Sequence, residues 1–531
     1  MPHPTQTRLF LFNTIANFIG RFWLKFLALL VVPLLYDFLG KGYYSLYSLA
    51  LTGMFYATLA DPGFKYGYIK VFAEYATTGR RADIRKLLGA SVVLYFSYST
   101  LCVVLAWLFI KPVMRVVGMA PEMFSEGQGL LLAFLVSLVF SETFCAWHHL
   151  LMALQRNSLA NSLSMIYAVA YYGGLALVIW YDGKADADMV IRLKHICWVV
   201  VGSGLIQGLL YLLAMPGALT RIPDKEPARP MRELLKYLYS FGWRVKISAN
   251  CDTIVCQTDK SFIAHYVDPQ PSPGNYQIGS QAATVLRDFV KLLVSALLPV
   301  MTQVATEGHP AQIRRINRLT SRWFFLLSTP CYVFVMFTAN PIIHSWMGEN
   351  IPQANTALSV LSLAFLANTA MAASMEIGNA CHLPHLQMRA TVLSGIVNLL
   401  LSWFLVIRIG YIGVAWGSVL AMILGTVYYA VIFLKAIEER FWPFVLDIFP
   451  KPLAAGFLAA APLYGLSHAG VFAWSGGLGR VGEFLFTAAL FLPYGALYFL
   501  LLALSRHVTL QEIHNLGMRV LRRPAETETR G

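Results

Sequence analysis

The amino-acid sequence predicts an all-α polytopic membrane protein with about fourteen transmembrane helices. They form two six-helix bundles of parallel orientation plus two C-terminal helices. Three observations carry this expectation. Of the 531 residues, 57% are hydrophobic and only 13% are charged, far too apolar for a chain that folds in water. Apolar stretches of about 20 residues, enough to cross a bilayer as helix, recur along the whole chain. A short internal repeat then divides that series into halves.

The apolar stretches lie near 10–36, 42–60, 87–110, 128–152, 159–181, 195–215, 238–258, 276–300, 323–343, 355–379, 390–408, 411–434, 449–469 and 481–505. Arg8 precedes the first, as in a signal peptide, but the run is too long and contains Arg21 and Lys25. It is expected to stay as an uncleaved helix. The repeat sets residues 74–87, EYATTGRRADIRKL, against 303–316, QVATEGHPAQIRRI, at an offset of 229 with no gap. Both copies fall between the second and third helices of a half. The expected organisation is therefore a first bundle over 1–215, a polar linker over 216–236 and a second bundle over 237–434. Two additional helices follow over 435–505, then a basic tail over 506–531. Gly204-x3-Gly208 and Gly413-x3-Gly417 read as close helix-packing faces.

Charge gives orientation. With the N-terminus inside, Arg80, Arg81, Arg85, Lys86, Arg221, Lys225, Arg229, Arg232 and Lys236 fall on one side. Arg314, Arg315, Arg318, Arg322, Arg519, Arg522 and Arg523 join them, which places both termini in the cytoplasm. Much of the +14 net charge is thus topological, and no nucleic-acid partner is inferred. The 7 cysteines form no disulfide framework and no paired metal motif. His382-x2-His385 lacks further ligands. There is no P-loop, nucleophile elbow or zinc motif, so neither an enzyme nor a cofactor or metal is expected.

The informative residues are the charges inside the apolar segments. Asn13, Asn17, Arg21 and Lys25 recur every fourth residue of the first helix. A charge at bilayer depth costs about 2.5–3.5 kcal/mol even on the lenient insertion scale, so such a stripe demands partners or water. Helix seven carries Arg244, Lys246, Asn250, Asp252 and Lys260, and helix eight carries Arg287 and Lys291. The repeat offset sets Asn17 against Lys246 and Arg21 against Asn250, so both halves offer basic faces. Ion pairs fixing helix register are one reading. The candidate acids Glu142, Asp252, Asp259, Asp288 and Glu376 are too few for seven cations, which favours a functional cavity. Glu142, Glu376 and Asp252 are candidates for ion coupling, with His148 and His149 near Glu142 more readily placed at the interface.

Leu59-Ala60-Asp61-Pro62-Gly63-Phe64, followed by Ala73-Glu74-Tyr75 and the basic loop, resembles the "D-x-G" turn of Wzx-type polysaccharide flippases. Asp259-Lys260 and Gly274-Asn275-Tyr276 are similar to that family's "D-[RK] … G-x-Y" stretch, and Leu298-Pro299-Val300 and Gly410 to Ala415 also fit. The resemblance spans about residues 10–435 and departs at Pro62 and at the Pro-rich insertion Asp268 to Pro273. It implies membership of the superfamily that includes multidrug (MATE) exporters and the lipid II flippase. It also implies alternating access by two bundles in a bacterial inner membrane, for surface polysaccharide biosynthesis. The implied substrate is an oligosaccharide on a polyprenyl pyrophosphate carrier, with a polysaccharide polymerase and export proteins as further partners. An anionic head group needs cationic, hydrogen-bonding walls. Asn13, Asn17, Arg21, Lys25, Arg244, Lys246, Asn250, Arg287 and Lys291 are the expected substrate-binding residues. A drug or metabolite antiporter on the same fold is the alternative, and a membrane-embedded glycosyltransferase or polymerase a second one.

Overall fold

The computed structural model describes residues 4–214, 219, 222–224, 229–295, 310–381, 383–468, 477 and 479–505. Among the described residues all long elements are helices. They divide into two compact units, Met1–Leu292 with His382–Tyr429 and Leu293–Cys381 with Ala430–Gly531.

In the first unit α1 covers Pro4–Leu59, with Gly40 at φ 70° breaking its regular geometry. That kink separates the first two expected segments, which are otherwise continuous. A turn at Asp61 to Gly63 leads into α2, Lys65–Thr78, closed by Gly79 in the left-handed conformation with its N–H on the Tyr75 carbonyl. Then come α3, Arg81–Leu108, and α4, Ile110–Val117. The fourth expected segment is two helices, α5 over Phe124–Thr143 and α6 over Cys145–Ala153, divided at Phe144. The fifth is α7, Asn157–Ala168, and α8, Gly174–Lys184, joined by a π-helical turn at Val169–Gly173. The sixth is α9, Met189–Ala214.

Helices seven and eight are α10, Met231–Tyr266, and α11, Ser272–Ser295. Both are long enough to cross a bilayer yet too polar to count among the eleven stretches that qualify by length and apolarity. Among the described residues eleven stretches thus qualify where the sequence leads to an expectation of fourteen, and the two counts differ at the kinked α1 and at the polar α10 and α11.

The second unit is organised around α12, Pro310–Met347. It is followed by α13, Pro352–Thr369, and α14, Ala372–Ala380. Next in the chain come α15, Pro384–Ile409, and α16, Tyr411–Ala436, which belong to the first unit as far as Tyr429. The last helices are α17, Phe441–Ile448, α18, Pro450–His468, and α19, Gly479–Leu504. The C-terminal pair α18 and α19 packs on α12: Tyr498 donates to the Leu326 carbonyl at 2.8 Å, and buried Glu483 meets His344 Nδ1 at 2.6 Å.

The small-residue faces are close contacts, as their spacing implies. A Cβ on Gly204 would lie 2.4 Å from Ser137 Oγ, and one on Gly417 would lie 2.4 Å from Ser402 Oγ. The linker is tied to the first copy of the repeat. Asp224 accepts from the Ala82 N–H at 3.2 Å, and buried Asp83 accepts from the Arg229 N–H at 2.8 Å. Residues 303–309 of the second copy lie outside the described residues, as do His382 and the tail from 506.

Candidate functional site

The intramembrane charges of the first unit form two groups with opposite character. The first is built on the turn after α1. Asp61 Oδ1 accepts the Gly63 N–H at 2.7 Å, a local bond that lets the chain reverse with Gly63 at φ 82°. The other Asp61 oxygen meets Lys65 Nζ at 2.8 Å, and Lys65 reaches across to both oxygens of Glu142 on α5 at 3.1 and 3.2 Å. Burial alone would push the Lys65 pKa down; the two carboxylates outweigh that and raise it.

Helix α10 lies directly on this turn. A Cβ on Gly242 would sit 2.6 Å from the Gly63 carbonyl oxygen, and one on Gly63 2.9 Å from Lys246 Cγ. Lys246 donates to the Thr58 carbonyl at 2.7 Å and stands 3.8 Å from Asp61, while Asn250 donates to the Leu59 carbonyl at 3.1 Å. Lysines 65 and 246 balance Asp61 and Glu142, so this group is neutral, and its side chains are 18% exposed or less. It behaves as a buried network that fixes the turn and the approach of α10.

The second group is open. Lys25 on α1 pairs with Asp288 on α11 at 3.0 Å. Arg287 approaches Asp288 at 3.5 Å, Asp252 on α10 at 3.9 Å, and the Cys256 sulfur at 3.7 Å. Lys291, exposed one turn further along α11, lies in the field of Arg287, Asp252 and Asp288. Three cations face two carboxylates, leaving one net positive charge. Lys25 is 45% exposed and Asp252 55%, against 11% for Arg287, so a largely buried guanidinium stands behind a solvated rim.

Lys25, Arg287, Lys291 and Asp252 are therefore brought together, and Lys246, Asn250 and Glu142 belong to the closed network. Arg244 joins neither; it is exposed, with its guanidinium over the Trp243 ring at 5.1 Å. Glu376 lies on α14 of the second unit. Asn13, Asn17 and Arg21 are on α1, and their side chains lie outside the described residues.

A third polar group gathers residues that the sequence marks by their resemblance to the family's "D-[RK] … G-x-Y" stretch and to which it assigns no site role. Asp259, 1% exposed, accepts from the Tyr276 hydroxyl and from Ser418 Oγ at 2.9 Å, and Ser418 is in turn held by Asn398 at 2.9 Å. Next to it Lys260, also 1% exposed, donates to Gln257 and Gln277. Gly274 opens α11 by bringing its N–H to Ser45 Oγ at 2.9 Å, where a Cβ would clash. Asp259, Lys260, Gly274 and Tyr276 thus form one packed arrangement, and their place in the resembling stretch was the signal available in the sequence.

Comparison with known proteins places this geometry. Over half its length the chain is 22% identical to a probable low-salt glycan biosynthesis flippase of Haloferax volcanii, and the match spans about half of that relative, 53%. Two solved structures share the fold. The lipid II flippase MurJ in an inward closed conformation has a TM-score of 0.64 at 13% identity, over 93% of this chain and 98% of that one. The Vibrio cholerae MATE transporter VcmN in its bent form has a TM-score of 0.57 at 14% identity, over 83% and 98%. Both confirm a polytopic all-α membrane fold. A family model described as polysaccharide biosynthesis protein matches residues 10–305, which include the closed network and the open basic group, and the chain belongs to that family.

Proposed function

We propose that this chain translocates a polyprenyl-pyrophosphate-linked oligosaccharide across the bacterial inner membrane by alternating access, for surface polysaccharide biosynthesis. The observation that carries the reading is the open group of Lys25, Arg287 and Lys291, with its surplus positive charge. A pyrophosphate is anionic and bidentate, so a forked guanidinium flanked by two ammonium groups matches it in sign and geometry. Arg21, Asn13 and Asn17 extend the same stripe of α1 and would serve the head group and sugar hydroxyls. Lys246 and Asn250 hold the turn and support the site from behind, and Glu142 anchors Lys65. The family membership and the name of the Haloferax relative support the same substrate class. The chain is read as a transporter rather than an enzyme, with both termini cytoplasmic and with a polymerase and export proteins acting downstream.

A MATE-like antiporter on the same fold is the second reading. Export of organic cations would need an acidic face, and the open group has the opposite sign.

The test is surface polysaccharide in a flippase-deficient strain, with the membrane level of each variant measured alongside. Lys25→Glu with Arg287→Glu should abolish polysaccharide, because the face then repels its substrate. Normal polysaccharide from a stably inserted double variant would refute the proposal.

A further inference from the structure

Among the described residues of the first unit, Lys246 and Lys260 are buried and Lys65 is largely so, and Lys260 is held differently from the other two. Lys65 is fixed by two carboxylates, and Lys246 stands beside one. Lys260 is 1% exposed on α10, and its Nζ donates to Gln257 Oε1 at 2.6 Å and to Gln277 Oε1 at 2.8 Å. Among the described residues no carboxylate lies within ion-pair distance of it. The groups around it keep other partners. On its own helix, Cys256 faces Arg287, and Asp259 is held by Tyr276 of α11 and Ser418 of α16. On α1, Tyr56 meets Ser261 at 2.7 Å, and Tyr411 of α16 packs edge-on against Tyr276.

The difference matters because a carboxylate offers only acceptors and stabilises the ammonium alone. An ammonium has three donors and no acceptor, whereas a neutral amine has two donors and one lone pair. A glutamine amide carries an oxygen on one side and an NH2 on the other. Turning one amide over would present a donor to that lone pair, so Gln257 and Gln277 can satisfy Lys260 in either protonation state. Gln277 Nε2 now donates to Gln281 Oε1 at 3.4 Å, so when the Gln277 amide turns its oxygen faces Gln281, whose own amide turns with it to present its NH2. Losing the charge of a buried lysine whose direct contacts are neutral amides relieves its desolvation cost and breaks no hydrogen-bonded ion pair, while Asp259 keeps its bonds from Tyr276 and Ser418.

We propose that Lys260, with Gln257 and Gln277, is a reversible proton site inside the membrane, whose change of charge accompanies glycan movement. One N–H bond of the ammonium breaks and its proton passes to water, leaving a neutral amine; the reverse step takes a proton from water. No other co-reactant is required. The coupling part of this inference rests on the glycan-translocation reading, and the proton site does not.

Two measurements on the full chain separate them. In detergent, difference titration of wild type against Lys260→Met should show about one extra proton released between about pH 5 and 9, where an ordinary lysine stays charged. Lys260→Arg, which cannot deprotonate, should lack that proton, and so should Gln277→Glu, which keeps the lysine but fixes its charge. Curves for wild type and both Lys260 variants that coincide up to about pH 9 would overturn the proposal. In proteoliposomes, a fluorescent short-chain polyprenyl pyrophosphate should cross faster under a pH gradient with wild type, and Lys260→Arg should lose that acceleration. A gradient response retained by Lys260→Arg would overturn the coupling. Failure of wild type to move the probe would count against the glycan reading alone, and the titration would still decide the proton site.

Discussion

Replacing Lys65 by Met tests whether the charges around the Asp61 turn are a structural network. Among the described residues Lys65 is the only cation paired with Glu142, at 3.1 and 3.2 Å, and it stands 2.8 Å from Asp61. The methionine fills similar volume but leaves two largely buried carboxylates with Lys246, 3.8 Å from Asp61, as the remaining cation. Removing one partner of a buried pair costs about 3–5 kcal/mol, because the other charge stays desolvated. Glu142→Gln is milder, since Lys65 keeps Asp61; losing one charge-assisted hydrogen bond costs about 1.5–3 kcal/mol. In the double variant Lys65→Met, Glu142→Gln one of the orphaned charges is gone, so part of the loss returns, with a coupling of about 1–3 kcal/mol. Thermal unfolding of the detergent-solubilised chain should therefore rank wild type first, then Glu142→Gln, then the double variant, then Lys65→Met. A double variant that melts below Lys65→Met, or a Lys65→Met chain that melts with wild type, would refute the network.

Two further predictions follow from packing and charge. Gly417→Leu should abolish stable insertion or lower the melting temperature sharply, because a Cβ there already lies 2.4 Å from Ser402 Oγ and 2.7 Å from its Cα; unchanged thermal unfolding would contradict the close face. Single cysteines at positions 79 and 308, in a cysteine-free chain, should resist an impermeant reagent added outside intact cells, and labelling of both would refute the N-inside orientation.

Much of the helical architecture is written locally. Runs of about 20 apolar residues and the bilayer's thickness decide each span, and α10 and α11 announce themselves by being long, helical and polar. Glycine marks some breaks, as at Gly40 and Gly79. The division at Phe144 and the π-helical turn at Val169–Gly173 carry no proline and are set by packing, so the sequence shows them only as continuous segments. The gathering of Lys25, Arg287 and Lys291 was foreseeable from their place within segments expected to cross the membrane. Their partners were not: Lys25 meets Asp288 from far along the chain, and no local spacing encodes that pair. The closed network is the main surprise. Asp61 and Lys65 stand at i,i+4 just beyond a helix, which is a legible pair. Reading Glu142 as a candidate for ion coupling overlooked Lys65, because that lysine lies between apolar segments rather than inside one.

The most direct test of the central claim is the affinity of the purified full chain for a short-chain polyprenyl pyrophosphate, compared between Arg287→Gln and Asp288→Asn. The two substitutions change neighbouring residues and move the charge of the open group in opposite directions. Arg287→Gln should weaken binding by about 10-fold or more, the loss of one charge-assisted contact. Asp288→Asn frees Lys25 and Arg287 from a competing carboxylate and should tighten it. Equal affinity in both variants, or tighter binding by Arg287→Gln, would contradict the claim that this basic group receives the anionic head group.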